Sequence, residues 1–294
     1  MSNIGVDMGG TRIKAGIVDG RRILRSEAVD TNAGASPSEV LDAVARAVAA
    51  LGEVPTRVGF AIPGEVDGTG SCWQLPNVPG FAGVNIQREL ERRVGCPVIV
   101  ENDATVAALG EALHGWGQEY PSFLMVTLGT GVGGGLVLDG KLRRGSHGFA
   151  GEIGHLQIDR SPSAPRDGAG LPGTLEAFAG THALLARFHE LGGEGSEVLH
   201  IAESARRGET PGLKAFELMG RALGEALNGI QVVLDLDAII FTGGISRSFD
   251  LVEPNIRVAM RERAYAEPLV SVPLLQSKLG DAAGLVGAAH LAQL

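Results

Sequence analysis

Cysteine is nearly absent: Cys72 and Cys96 are the only two in 294 residues. Two thiols cannot build a disulfide framework or a cysteine-rich zinc site, so both are expected to be reduced. No apolar run reaches the roughly 18 residues that a membrane helix needs. No basic stretch leads into an apolar one near the start, so no secretion signal is expected and the cytoplasm is the default location. Positive charge is in deficit: 25 Lys and Arg stand against 34 Asp and Glu, a net charge of −9. Such a surface repels nucleic acid and anionic membrane, and neither is an expected partner. Aromatic residues are scarce at 4%, while hydrophobic residues at 44% and charged residues at 20% fit a globular chain. The length allows one large domain or two of ordinary size.

Glycine is abundant, with 44 residues. It lets backbone approach a ligand closely or adopt positive φ, so its clusters mark candidate sites. IGVDMGG (4–10) predicts a strand entering a glycine turn, and IKAGIVDG (13–20) the return strand. FLMVTLGTGVGGGLVLDG (123–140) repeats the pattern. Shifted by 120 positions (6 onto 126), Val6 falls on Val126, Gly9 on Gly129, Asp19 on Asp139, Gly20 on Gly140 and Arg21 on Lys141. A repeated strand–turn–strand unit predicts two related domains. Between the hairpins, Ser36, Pro37 and Glu39 predict a capped helix start. Val40, Leu41, Val44, Val48 and Leu51 form its apolar stripe, and Gly52 its stop. RVGFAIPG and PVIVEN predict strands, with helices over 86–94 and about 104–114. Later, helices dominate to about residue 234. Beyond them come AIIFTGG, a helix, a strand at LVSVPLLQ (269–276) and a last helix from 281.

Two nucleotide-binding motifs are nearly matched, and the pattern beyond each excludes it. GTGVGG (129–134) fits G-x-G-x-x-G, and GLVLDGKL (135–142) nearly fits a Walker A loop. Both need a helix next, and a strand pattern stands there instead. DMGGT (7–11) is more informative. Gly9 and Gly10 let backbone N–H groups approach a phosphate, Thr11 adds a hydroxyl, and Lys14 is within reach along the strand. Asp7 suits a hydrated magnesium ion. TLGTG (127–131), with Thr130 and Gly131, supplies a second cradle. END (101–103) ends a strand and begins a helix. Asp103 fits a general base with Asn102 beside it binding a hydroxyl, and it equally fits a helix cap. Glu152 and His155 in GEIGH share a face if helical and can hydrogen-bond a polyol. Glu176 in GTLEAF reads locally as an acidic first-turn residue. FTGG (241–244) ends a buried strand in Gly243 and Gly244, where a flat base could approach.

In this order the motifs resemble the ROK family of bacterial sugar kinases and sugar-responsive repressors. The resemblance implies an α/β fold: two ribonuclease-H-like domains of the actin-like ATPase type around a central cleft. The expected division is 1–115 and 116–280, with the last helix, 281–294, packing back on the first domain. IPGEVD and LPNVPGF resemble the family's sugar-side loops and imply sugar contacts from Gly64 and Asn77. ENDATVAALGEA implies Asp103 as base and Asn102 as sugar ligand. GEIGH and GTLE imply sugar contacts from Glu152, His155 and Glu176, and FTGGIS implies an adenosine segment at Gly243 and Gly244. Many relatives carry zinc on the GH histidine and three downstream cysteines. LQIDRSPSAPRDGAGLPGTLE contains none, so no zinc is expected. The implied activity is phosphorylation of a hexose by ATP with Mg2+, glucose first, in a homodimer. Other hexoses, N-acetylhexosamines and a polyphosphate donor stay open. A repressor is not expected, because three residues before Ile4 leave no room for a helix-turn-helix.

Overall fold

The structure is a computed structural model that describes residues 3–32, 34–76 and 78–293. Alternating apolar residues fold the first segment into β1 (Asn3–Met8), β2 (Arg12–Asp19) and β3 (Arg22–Asp30), an antiparallel run. α1 (Pro37–Ala50) begins as the sequence predicts. Ser36 caps it, Glu39 completes the capping box, Pro37 lies in the first turn, and Val40, Leu41, Val44 and Val48 are buried. β4 (Val58–Ile62), the short pair β5 (Glu65–Val66) and β6 (Cys72–Gln74), α2 (Ile86–Val94), β7 (Val98–Asn102) and α3 (Asp103–His114) come next. The first sheet runs β3-β2-β1-β4-β7.

The chain then repeats itself with β8 (Phe123–Leu128), β9 (Val132–Leu138) and β10 (Lys141–Arg143). Helices α4 (Glu176–Ala179), α5 (Thr181–Glu190), α6 (Val198–Arg206) and α7 (Thr210–Leu234) lead to β11 (Ala238–Thr242). α8 (Phe249–Glu262), α9 (Glu267–Val270), β12 (Leu274–Gln276) and α10 (Ala283–Leu291) close the chain. The second sheet runs β10-β9-β8-β11-β12, the order of the first sheet position for position. The internal repeat in the sequence is therefore a repeat of topology.

Two expectations need correction. LVSVPLLQ is not one strand: Glu267–Val270 is helical, and only Leu274–Gln276 pairs with β11. Pro268 suits a helix start, and Pro273, lacking an N–H, contributes only its carbonyl, to Ile239 N–H at 2.9 Å. GEIGH is not an α-helix but a single 3-10 turn, Ile153–His155, preceded by Glu152.

The chain forms two compact units. The first comprises Met1–Pro121, Gly135–Gly151 and Ser277–Leu294, and the second Ser122–Gly134 and Glu152–Gln276. Within the first unit, α10 lies directly on the sheet and on α3. A Cβ on Gly5 would come within 2.5 Å of Leu285 O and of Ala289 N, and one on Gly110 within 2.7 Å of Ala283 O. The remaining core there is mostly aliphatic, with Phe60 and Phe81 packed among residues such as Ile62 and Leu90.

Candidate functional site

In the first unit, three neighbouring parallel strands end together. The register aligns Asp7 of β1 with Ala61 of β4, and Ala61 with Glu101 of β7. Ligands favour the carboxyl ends of such strands, and Asp7, Gly64, Asn102 and Asp103 stand at or just beyond them. Asp7 pairs across the hairpin with Lys14. Burial pushes its carboxyl above the usual range, and the Lys14 charge opposes that shift. The turn itself is exposed at Gly9, Gly10 and Thr11. Gly9 N–H donates to Arg12 O at 2.8 Å, and Gly10 has open space where a Cβ would be. Buried Thr31 holds the turn from behind. Its hydroxyl donates to Gly9 O at 2.9 Å, and its N–H to Thr11 O at 2.9 Å.

The sequence left open whether Asp103 caps α3. The cap is Asn102, whose Oδ1 accepts Thr105 N–H at 3.0 Å. Its Nδ2 donates to Gly64 O at 3.2 Å, tying two strand ends together. Asp103 is the first helical residue, and its Oδ1 accepts Ala104 N–H at 2.7 Å. Gly64 has no room for a side chain: a Cβ would lie 2.7 Å from Leu75 Cδ1 and closer still to Gln74 O. Asn77 lies outside the described residues. The sequence did not single out Glu101, which is 1% exposed. Its Oε1 accepts Asn102 N–H at 2.9 Å, and its Oε2 pairs with Arg144. Burial raises its carboxyl above the usual range against the pull of Arg144 and Asn102 N–H. A carboxylate ending the apolar strand VIVE was the available signal, because a buried charge requires a partner. The partner, 43 residues on, left no local trace.

In the second unit, β8 and β11 are parallel neighbours with Thr127 aligned to Thr242. Beyond them lie Thr130, Gly131, Gly243 and Gly244. Gly243 has φ +90° and lies so close to Leu128 that a Cβ would meet its backbone oxygen. Gly244 opens a 3-10 turn through Ser248 and has space around it. The second glycine turn is held differently from the first. Thr181 donates to Gly129 O from its hydroxyl at 2.7 Å and from its N–H at 3.0 Å. Glu176 Oε2 accepts Val132 N–H at 3.1 Å, and a Cβ on Gly131 would strike that same oxygen. Glu176 is thus more than an acidic first-turn residue, since it braces the glycine turn.

Glu152 and His155 offer ligand atoms within 4.8 Å of each other. The loop after His155 folds back on itself, with bridges from Gln157 to Thr174 and from Arg166 to Pro172. At its centre is Asp167, which sequence pattern did not single out. Its Oδ1 accepts Ala169 N–H at 3.0 Å and Leu171 N–H at 2.8 Å. Its Oδ2 accepts the Thr174 hydroxyl at 2.8 Å and stands 3.4 Å from His155 Nδ1. Burial opposes its charge, but these bonds and the neighbouring His155 win, holding the carboxyl below its usual range. The cysteines stand apart from this loop in sequence. Burial pushes the Cys72 thiol up to about 11, and Glu65 adds to the shift, which disfavours the metal-binding thiolate.

The ROK family model matches residues 3–294. Over 314 aligned residues the chain is 35% identical to a glucokinase of Streptomyces coelicolor, covering 99% of this chain and 97% of that protein. It is 31% identical to an N-acetyl-D-glucosamine kinase of Pasteurella multocida over 98% of each. The crystal structure of a ROK family glucokinase from Streptomyces griseus in complex with glucose and AMPPNP superimposes with a TM-score of 0.88. That pair shares 36% identity over 100% of this chain and 99% of the other.

Proposed function

This chain belongs to the ROK family, has its two-domain actin-like ATPase fold and is a sugar kinase that uses ATP, and we propose that its acceptor is the 6-hydroxyl of glucose. Asp103 takes the hydroxyl proton as the sugar oxygen bonds to the γ-phosphorus. The bond from that phosphorus to the bridging oxygen breaks, and ADP leaves. Phosphoryl transfer needs mainly positioning and charge stabilisation. Backbone N–H groups of Gly10 and Thr11, in the turn that Gly9 N–H closes on Arg12 O, would supply the second, with Lys14 and the turn at Thr130 and Gly131. Gly243 and Gly244 would let the adenine approach backbone. Gly64, Asn77, Asn102, Glu152, His155 and Glu176 would bind sugar hydroxyls.

The observation that carries this is the cap of α3. Asn102 supplies it, so the presence of Asp103 at the strand end is not accounted for by helix capping. The carboxylate of Asp7, half-buried opposite Lys14, fits one end of a hydrated hard cation. A magnesium ion held there would neutralise phosphate charge. The loop after His155 carries no cysteine, and elemental analysis is expected to find no stoichiometric zinc. About one tightly held zinc per chain, as in a four-ligand structural site, would overturn this expectation. Assembly as a homodimer and a cytoplasmic location complete the proposal, the dimer on family grounds alone.

A coupled assay across glucose, mannose, fructose and N-acetylhexosamines, each with ATP and with polyphosphate, tests the substrate. Turnover is expected to be highest with glucose and ATP. A preference for an N-acetylhexosamine would replace the acceptor, and faster turnover with polyphosphate would replace the donor. No turnover of any hexose with either donor would remove the proposed function.

A further inference from the structure

The side chain of Asp167 is fully buried, while His155 keeps 33% of its side-chain surface exposed. The buried His155 Nδ1 has no well-directed hydrogen bond among the described residues, and the group it faces is Asp167 Oδ2 at 3.4 Å. An ionised carboxylate only accepts. The ring nitrogen opposite it therefore carries the hydrogen, which in the neutral ring leaves the lone pair on Nε2. The other oxygen of Asp167 takes two loop N–H groups, so the carboxylate cannot turn away without stranding them.

We infer that Asp167 is a positioning residue for sugar recognition: it anchors the 167–174 loop and holds His155 in the Nδ1–H tautomer, so that Nε2 accepts a hydrogen bond from a sugar hydroxyl. This rests on the sugar-binding role proposed for His155. The loop, which contains no cysteine, gains from one carboxylate both its own closure and the orientation of the ring. The partner of an imidazole commonly sets which nitrogen is available to a ligand.

Asp167→Asn separates the two roles. Its Oδ1 can still accept from Ala169 and Leu171, which keeps the loop closed. Reversing the amide would set an NH2 group against those two N–H donors, so the reversed orientation is disfavoured. The new NH2 then faces the Thr174 hydroxyl and His155 Nδ1. The ring must accept there, and the hydrogen moves to Nε2. Long-range 1H–15N NMR of the labelled full chain reads the tautomer directly, with His155→Gln to assign the signal among the seven histidines.

The wild type should show Nδ1 protonated with no substrate present. Asp167→Asn should show Nε2 protonated, a sugar KM raised about tenfold and an ATP KM changed by less than about twofold. Thr174→Val, which removes only the hydroxyl contact to Oδ2, should keep the wild-type tautomer and sugar KM. An Nε2–H ring in the wild type overturns the inference whether or not any variant folds. So does an unchanged tautomer in Asp167→Asn, or an equal rise of the sugar KM in Thr174→Val with the tautomer intact. Because the tautomer is read without sugar, failure to phosphorylate hexoses would be recognised separately as failure of the proposed function.

Discussion

Asp103→Asn is expected to fold and bind sugar while losing roughly 10²–10⁴ in kcat. The cap of α3 is not at stake, because Asn102 provides it. The substituted side chain keeps an Oδ1 for Ala104 N–H, the 2.7 Å bond that Asp103 makes. The melting temperature should therefore stay within about 3 °C of wild type. An amide still hydrogen-bonds a hydroxyl but cannot take its proton, so sugar affinity should largely survive. The informative comparison is kcat alongside melting temperature and sugar Kd. A folded, sugar-binding, nearly inactive variant supports the base. A variant with near wild-type kcat excludes Asp103, and Glu152 becomes the next candidate.

Gly59→Ala should damage the fold itself. Gly59 of β4 is the register partner of Gly5 of β1, and both lie under α10. A Cβ at 59 would run into the carbonyl of Ala288 and reach 3.1 Å from Ala292 N. On the other side of α10, a Cβ on Gly287 would meet the carbonyl of Val106 in α3. These neighbours are backbone atoms, so the helix must shift as a whole. Overpacking of this kind costs about 1–3 kcal/mol or more, and a chain of this size should lose roughly 2–5 °C or more in melting temperature. Gly68→Ala, where no atom lies within 4 Å of a Cβ, should melt like wild type. If Gly59→Ala also melts like wild type, α10 does not sit flush on β4.

Much of the fold was legible because it is written in short stretches. The capping box at Ser36 and Glu39 and the stripe of α1 involve neighbours in the chain, and the repeat compares two short stretches 120 positions apart. The two sheets then share one strand order. Where two signals competed locally, sequence pattern could not choose. Leu269 and Val270 favour a strand by hydrophobicity, yet Pro268 starts a helix there, and pairing is confined to Leu274–Gln276, just after Pro273. Glu152 and His155 were singled out in GEIGH as possible helix neighbours, yet a 3-10 turn brings them together. The supports of the site were not legible. Glu101 needs Arg144, Val132 needs Glu176, and Gly129 needs Thr181, each partner being more than forty residues away. Asp167 lies only twelve positions beyond His155, but the stretch between them, broken by Pro162 and Pro165, has no periodicity from which to read the contact.

The central claim is transfer of the terminal phosphoryl group of ATP to a hexose. 31P NMR of the purified protein with ATP, Mg2+ and glucose tests it most directly. The account predicts ADP and a phosphate monoester on the sugar 6-oxygen, formed one for one. ADP with free phosphate and no sugar ester, or no loss of ATP with any hexose, would contradict it.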